Sequence, residues 1–213
     1  MNQYRDPSGL IAILRGLTPQ DAVQVGEVLC EAGFEALEVP LNSPDPLESI
    51  GLLRGALPDH VRVGAGTVLT TPQVRAVHKA GAQLVVSPNT DPRVIEETVA
   101  LGLDSCPGVA TVSEAFTAVQ AGSRTLKVFP ANQVGEEAMG AWRTVLPEDV
   151  ELIPVGGVHA ASLHSWVQKG ATGFGIGSAL YRPEIDVEHM RRTAQGLVAA
   201  WKQAAEHLRP LPA

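Results

Sequence analysis

Lys127 stands in the middle of an apolar run, TLKVFP (125–130), that has the character of a buried strand. Stripping water from an ammonium is costly, so a lysine in such a place needs a reason. A lone strand lysine more often turns outward and snorkels between helices. The alternative is an inward amine, made nucleophilic by desolvation or by a neighbouring cation. Three features favour the inward orientation. The chain has only four lysines, and Lys79, Lys169 and Lys202 all fall in helical segments that face solvent. Period-2 alternation would send Leu126 and Val128 towards covering helices. Glu38, in LEVPLNSP (37–44), and Arg15, in IAILRG (11–16), stand at other candidate strand ends, where they can converge on the same cavity.

Glu38 lies between Leu37 and Val39 in an otherwise apolar strand. As a structural residue it would need a partner. As a general acid and base it makes sense, because an apolar setting raises its pKa towards neutral. Arg15 either ties down a loop or grips a carboxylate with its planar fork. Each residue is ambiguous alone; with the lysine they form a constellation. The glycine motifs GAGT (64–67) and VGGV (155–158) read singly as tight turns. GIGS (175–178) after VGG is more specific, since barrels often bind phosphate with the loops after their last two strands, through backbone N–H groups and a helix N-terminus. Ser178 would add a hydroxyl. His159 and His164 are five apart, the wrong spacing for one helix face to present to a metal. All six histidines read as surface residues, and no metal site is predicted.

Short β-like runs alternate with helical segments along the whole chain. The candidate strands are 10–14, 34–40, 60–66, 83–88, 103–108, 124–130, 151–157 and 172–178. Helical stretches such as TPQVRAVHKAG and DPRVIEETVALG open on Thr or Asp beside Pro and stop at Gly, as capped helices do. The recurrent AG and LG pairs predict left-handed caps feeding the next strand. Eight such units in 213 residues predict one (β/α)8 barrel over residues 1–213, with a short N-terminal extension and a closing helix over about 186–208. A doubly wound sheet is the rival, but no Gly-rich dinucleotide fingerprint follows the first strand.

Composition narrows the function classes. The formal charge of -7 argues against a nucleic-acid partner. Cys30 and Cys106 are far apart, so neither a disulfide scaffold nor a zinc site is indicated, which suits a reducing compartment. The start, MNQYRDPSGL, does not read as a signal peptide, and no run approaches the ~20 apolar residues that span a bilayer. A cytoplasmic protein is expected, without membrane association.

The ordered motifs IAILRG (11–16), LEVPLNSP (37–44), VGAGTVL (63–69), SPN (87–89), CPG (106–108), LKVFP (126–130), VGGV (155–158) and GIGSALYR (175–182) carry a resemblance. The chain resembles the class I aldolases of 2-keto-3-deoxy-6-phospho sugar acids from residue 10 to 183. The resemblance implies a Schiff base at Lys127 and proton shuttling by Glu38, through a water. It places Arg15 and Thr67 at the pyruvate-like end of the substrate and Gly157, Gly177 and Ser178 at the phosphate. It implies a phosphorylated sugar acid as substrate, pyruvate and glyceraldehyde 3-phosphate as products, no cofactor, and a homotrimer.

The family has a gluconate and a galactonate branch. The gluconate branch typically has Thr before the strand-seven Gly-Gly and Arg four residues after the glutamate; here those positions are Val155 and Asn42, and Arg15 is present instead. The departures favour the galactonate epimer, with the cationic contact moved from strand two to strand one. The gluconate epimer, or both, is the alternative substrate. A sugar-phosphate epimerase or isomerase is disfavoured by the missing His and Asp metal ligands. A non-catalytic phosphosugar-binding protein would have no use for Glu38 and Lys127 together.

Overall fold

The structure is a computed structural model that describes residues 4–5, 9–206, 208 and 211–212. Most of the expected N-terminal extension, and His207, lie outside the described residues. Eight strand positions alternate with helices. Strands β1 (Gly9–Ile13), β2 (Ala36–Pro40), β3 (Arg62–Gly66), β4 (Leu84–Val86) and β5 (Asp104–Cys106) come first; β6 (Thr125–Val128), β7 (Glu151–Pro154) and β8 (Gly173–Ile176) follow. The order β8-β1-β2-β3-β4-β5 forms one parallel sheet, and β6 and β7 pair in a second. Two joints turn these sheets into a ring. Beyond Pro107 the chain of β5 continues as Gly108–Val109, which pairs with β6. A bridge between Val155 and Gly175 joins the ends of β7 and β8.

The split in the fifth strand departs from the single strand expected over 103–108. Proline has no N–H, so Pro107 cannot donate to a ladder. Its carbonyl still accepts from Lys127 N–H at 2.9 Å. One side of the interruption therefore serves β4 and the other serves β6.

Helices α1 (Pro19–Ala32), α2 (Pro46–Ala56), α3 (Thr71–Lys79), α4 (Pro92–Ala100) and α5 (Val112–Gln120) connect the early strands. The short α6 (Ala131–Val134), then α7 (Glu136–Arg143), α8 (Leu163–Gln168) and the closing α9 (Val187–Ala205) complete the ring. Thr70, Asp91, Thr111 and Asp186 each accept a backbone N–H at a helix start, as N-caps do. Gly33 ends α1 at φ 101°, in the left-handed region, and Gly81, Gly102, Gly122 and Gly170 repeat that conformation before later strands.

Buried apolar residues fall into two groups. Leu37, Val39, Val63, Ala65, Val85, Leu126, Val128 and Leu152 face the helices. Ile11, Ile13, Ala36, Leu84, Val86, Cys106, Ile153 and Val155 fill the lumen, with Phe129 against them. The alternation orients Glu38 and Lys127. A one-residue slip of β2 would turn Leu37 and Val39 out of the sheet–helix layer, where each is fully buried and worth about 1.5–3 kcal/mol. The apolar neighbours hold the two charged residues inward.

Candidate active site

Lys127 projects from β6 into the barrel and is only 7% exposed. Its Nζ lies 4.6 Å from the centroid of the Phe129 ring, the next residue on the same face of the chain. Burial lowers its pKa below the ordinary lysine value, the Glu38 carboxylate pulls it partly back, and Arg15 adds to the depression. The amine is thereby shifted towards its neutral, nucleophilic form. The remaining lysines lie outside the barrel: Lys79 and Lys202 are exposed, and half-buried Lys169 pairs with Glu137 at 2.8 Å.

Glu38 is 2% exposed, and its Oε2 has no hydrogen-bond partner. Burial raises its pKa to about 7, against the opposing pull of Lys127 and Arg15. A carboxyl poised there exchanges protons in both directions near neutral pH. Cys106 shares the lumen, and burial pushes its thiol up to about 12, so it stays protonated and inert.

Above these groups opens a cavity of about 620 Å³ at the C-terminal ends of the strands. Arg15, Thr67, Lys127, Val155, Gly157, Gly177 and Ser178 all line it. Thr67 adopts φ 57°, uncommon for a β-branched residue, at the turn that leaves β3. Gly156 and Gly157, at φ 101° and 79°, carry the chain away from β7. Because Val155 bridges Gly175, the Gly-Gly turn and the GIGS turn are neighbours and form one concave strip. The helix N-terminus expected there is not at hand. After β8 the carbonyl of Gly177 accepts from Leu180 and Tyr181 N–H in a tight turn, and α9 starts only at Val187. Any anion held by this strip would meet turn amides and Ser178.

Asn42 is the one expected site residue, besides buried Glu38, that does not line the cavity. It acts at one remove: Arg15 Nη1 donates to Asn42 Oδ1 at 2.5 Å. Next to this contact, Gly16 N–H donates to Ser43 Oγ at 2.9 Å, so the loop after β2 props the loop after β1. Sequence reasoning gave no site role to several other cavity-lining residues, among them Phe129, Pro88, Tyr181 and Arg182. Phe129 was within reach, since it follows Lys127 by two and shares its face. Tyr181 and Arg182 lie in a loop, where no periodicity announces a direction.

The five described histidines, His60, His78, His159, His164 and His189, are exposed. Among the described residues no three His, Cys, Asp or Glu side chains cluster closely enough to hold a metal ion. Among them also, no helix is long and apolar enough to cross a membrane.

A desolvated lysine and a carboxyl with a pKa near neutral, under a cavity rimmed by two glycine turns and Ser178, suit carbonyl chemistry on a small anionic substrate. Comparison with known proteins points the same way. The chain is 43% identical over 205 residues to the 2-dehydro-3-deoxy-6-phosphogalactonate aldolase of Escherichia coli strain K12, covering 96% of this chain and 100% of that one. It is 44% identical over 192 residues to a probable 2-dehydro-3-deoxy-6-phosphogalactonate aldolase of Rhizobium meliloti strain 1021, covering 90% and 91%. A solved structure described as native KDPGal superimposes with a TM-score of 0.92 at 42% identity, over 96% of this chain and 99% of that one. The model of KDPG and KHG aldolases matches residues 4–195. With fold and sequence in agreement over nearly the whole length, the chain belongs to the KDPG and KHG aldolase family.

Proposed function

We propose that the protein is a class I aldolase that cleaves 2-dehydro-3-deoxy-6-phospho-D-galactonate to pyruvate and D-glyceraldehyde 3-phosphate. The observation that carries this reading is the pairing of a desolvated Lys127 with Glu38 beneath one cavity. The Lys127 amine adds to the C2 carbonyl and loses water, giving an iminium. Glu38 takes the C4 hydroxyl proton, the C3–C4 bond breaks, and its electrons pass into the iminium to give an enamine. The aldehyde product leaves. Glu38 returns its proton to C3, and water releases pyruvate from Lys127. No cofactor or metal enters the scheme.

Arg15, held by Asn42, and Thr67 bind the carboxylate end of the substrate. Gly157, Gly177 and Ser178 bind the phosphate. A cytoplasmic homotrimer of single-domain subunits, with no nucleic-acid or membrane partner, completes the proposal. The test is to treat the protein with pyruvate and borohydride, then map the adduct by peptide mass spectrometry. A stable adduct on Lys127 with loss of activity is expected. An adduct on Lys79, Lys169 or Lys202, or activity abolished by EDTA, would sink the assignment.

The choice of epimer rests on Val155. Its side chain packs into the lumen face, where a Cβ on Gly175 would stand 2.6 Å from its Cγ2. An epimer that aims its C4 hydroxyl at this isopropyl group leaves the hydroxyl desolvated and unpaired, at a cost of ~1–3 kcal/mol. That corresponds to roughly tenfold to hundredfold in kcat/KM. Val155→Thr, nearly isosteric, should raise kcat/KM on the gluconate epimer relative to the galactonate one. An unchanged ratio would move selectivity to Asn42 and Arg15.

A further inference from the structure

Gly66 ends β3 on the inward face, two residues beyond Gly64, and the two glycines are there for different reasons. A Cβ on Gly64 would run into the main chain of Leu84 on the neighbouring strand, so that residue sets the spacing of β3 and β4. A Cβ on Gly66 would meet no main chain among its nearest atoms. It would stand 2.5 Å from Glu38 Oε1 and closer still to Oε2 and the carboxyl carbon. All three nearest atoms belong to one carboxyl group. Nor does the backbone demand glycine, because Gly66 is absent from the positive-φ positions among the described residues. Glycine inside a strand weakens it, through entropy and lost packing. The compensation is the space itself.

We infer that Gly66 is a positioning residue: the side chain it lacks is the seat of the Glu38 carboxyl. The inference rests on the acid/base role given to Glu38 above, and it explains how that role is possible. A carboxyl 2% exposed with an unbonded Oε2 has no hydrogen bond from that oxygen to aim it. The wall of the lumen does so by shape. An added methyl pushes aside only the far end of a flexible side chain, so the barrel closes while the carboxyl swings out of line.

The test is a double-mutant cycle of Gly66→Ala and Glu38→Ala, read by turnover, by pyruvate trapping and by thermal melting. Gly66→Ala should still form the borohydride-trapped pyruvate adduct on Lys127, while kcat falls roughly tenfold to hundredfold, the scale for a catalytic group misplaced by about 1 Å. In the Glu38→Ala background the same substitution should cost no further activity. It should also cost no Tm there, because its clash partner is gone. Should Gly66→Ala fail to fold alone, recovery of the fold in the double variant supports the inference, and failure of both overturns it. Turnover of Gly66→Ala within about twofold of wild type, or losses that multiply in the double variant, would also overturn it. Glu38→Ala alone reports on the acid/base role: near-wild-type turnover there removes that role, whereas a dead Glu38→Ala beside an active Gly66→Ala removes only the part given to Gly66.

Discussion

Lys127→Met is expected to lower turnover by roughly 10⁵-fold or more, the scale seen when a covalent nucleophile is deleted. Methionine keeps the length and flexibility of the side chain and suits an apolar lumen, so the fold should survive. Stability should rise at and below neutral pH. Burial depresses the lysine pKa, so the native state resists the charged form. That penalty is present below the folded pKa and fades as pH rises towards the unfolded value; methionine never incurs it. The measurement is a single-turnover assay alongside a thermal melt of the same preparation. A variant that retains turnover within about tenfold of wild type would remove Lys127 from the chemistry.

Glu38→Gln should lower kcat by about 10²–10⁴ while the pyruvate imine still forms, because the amide keeps the volume and loses the proton transfer. Exchange of the pyruvate methyl protons should disappear in parallel, since it uses the same carboxyl. In the wild type the acid limb of kcat/KM should bend near pH 7, where the buried carboxyl ionises. The stability effect runs the other way. The folded pKa is raised, so wild-type stability is highest while the group is protonated in both states. It falls as pH climbs from the unfolded value near 4.5 to about 7, and is constant above. The loss is on the order of 3 kcal/mol by the conversion of pKa units to free energy. For a chain of this size that corresponds to a Tm gain of roughly 6–12 °C for Glu38→Gln at pH 8.5, shrinking towards pH 5. A variant that is inactive and no more stable at pH 8.5 than wild type would show that the carboxyl is not held against its ionisation.

Both effects come from the same lumen, and how far each was legible differs. TLKV shows its alternation in the sequence, and the inward direction of Lys127 follows from apolar neighbours that must face helices. LEV does the same for Glu38. The (β/α)8 ring was legible because eight apolar runs alternating with helical segments, several of them visibly capped, leave few alternatives. The break at Pro107 went unread, although proline's missing N–H was there to announce it, and which neighbour each half would pair with had no local signal. Pairing across the ring joins residues far apart in sequence, and no local pattern encodes it.

What the sequence determined by itself is the inventory and its facing. Lys127 and Glu38 stand inside apolar strands, glycine turns close the last two strands, and residues that carry a family resemblance follow in order. Each of these is a property of spacing, and spacing of two or of three to four residues fixes which face a side chain takes. The tertiary structure alone decided the contacts between faces. It placed Asn42 behind Arg15 rather than in the cavity, joined two separate glycine turns into one rim through Val155 and Gly175, and left a turn where a helix N-terminus was expected. It also set the empty position of Gly66 against the Glu38 carboxyl. Those relations depend on barrel tilt and strand stagger, which bring side chains of different strands to one height. They are fixed only when the ring closes.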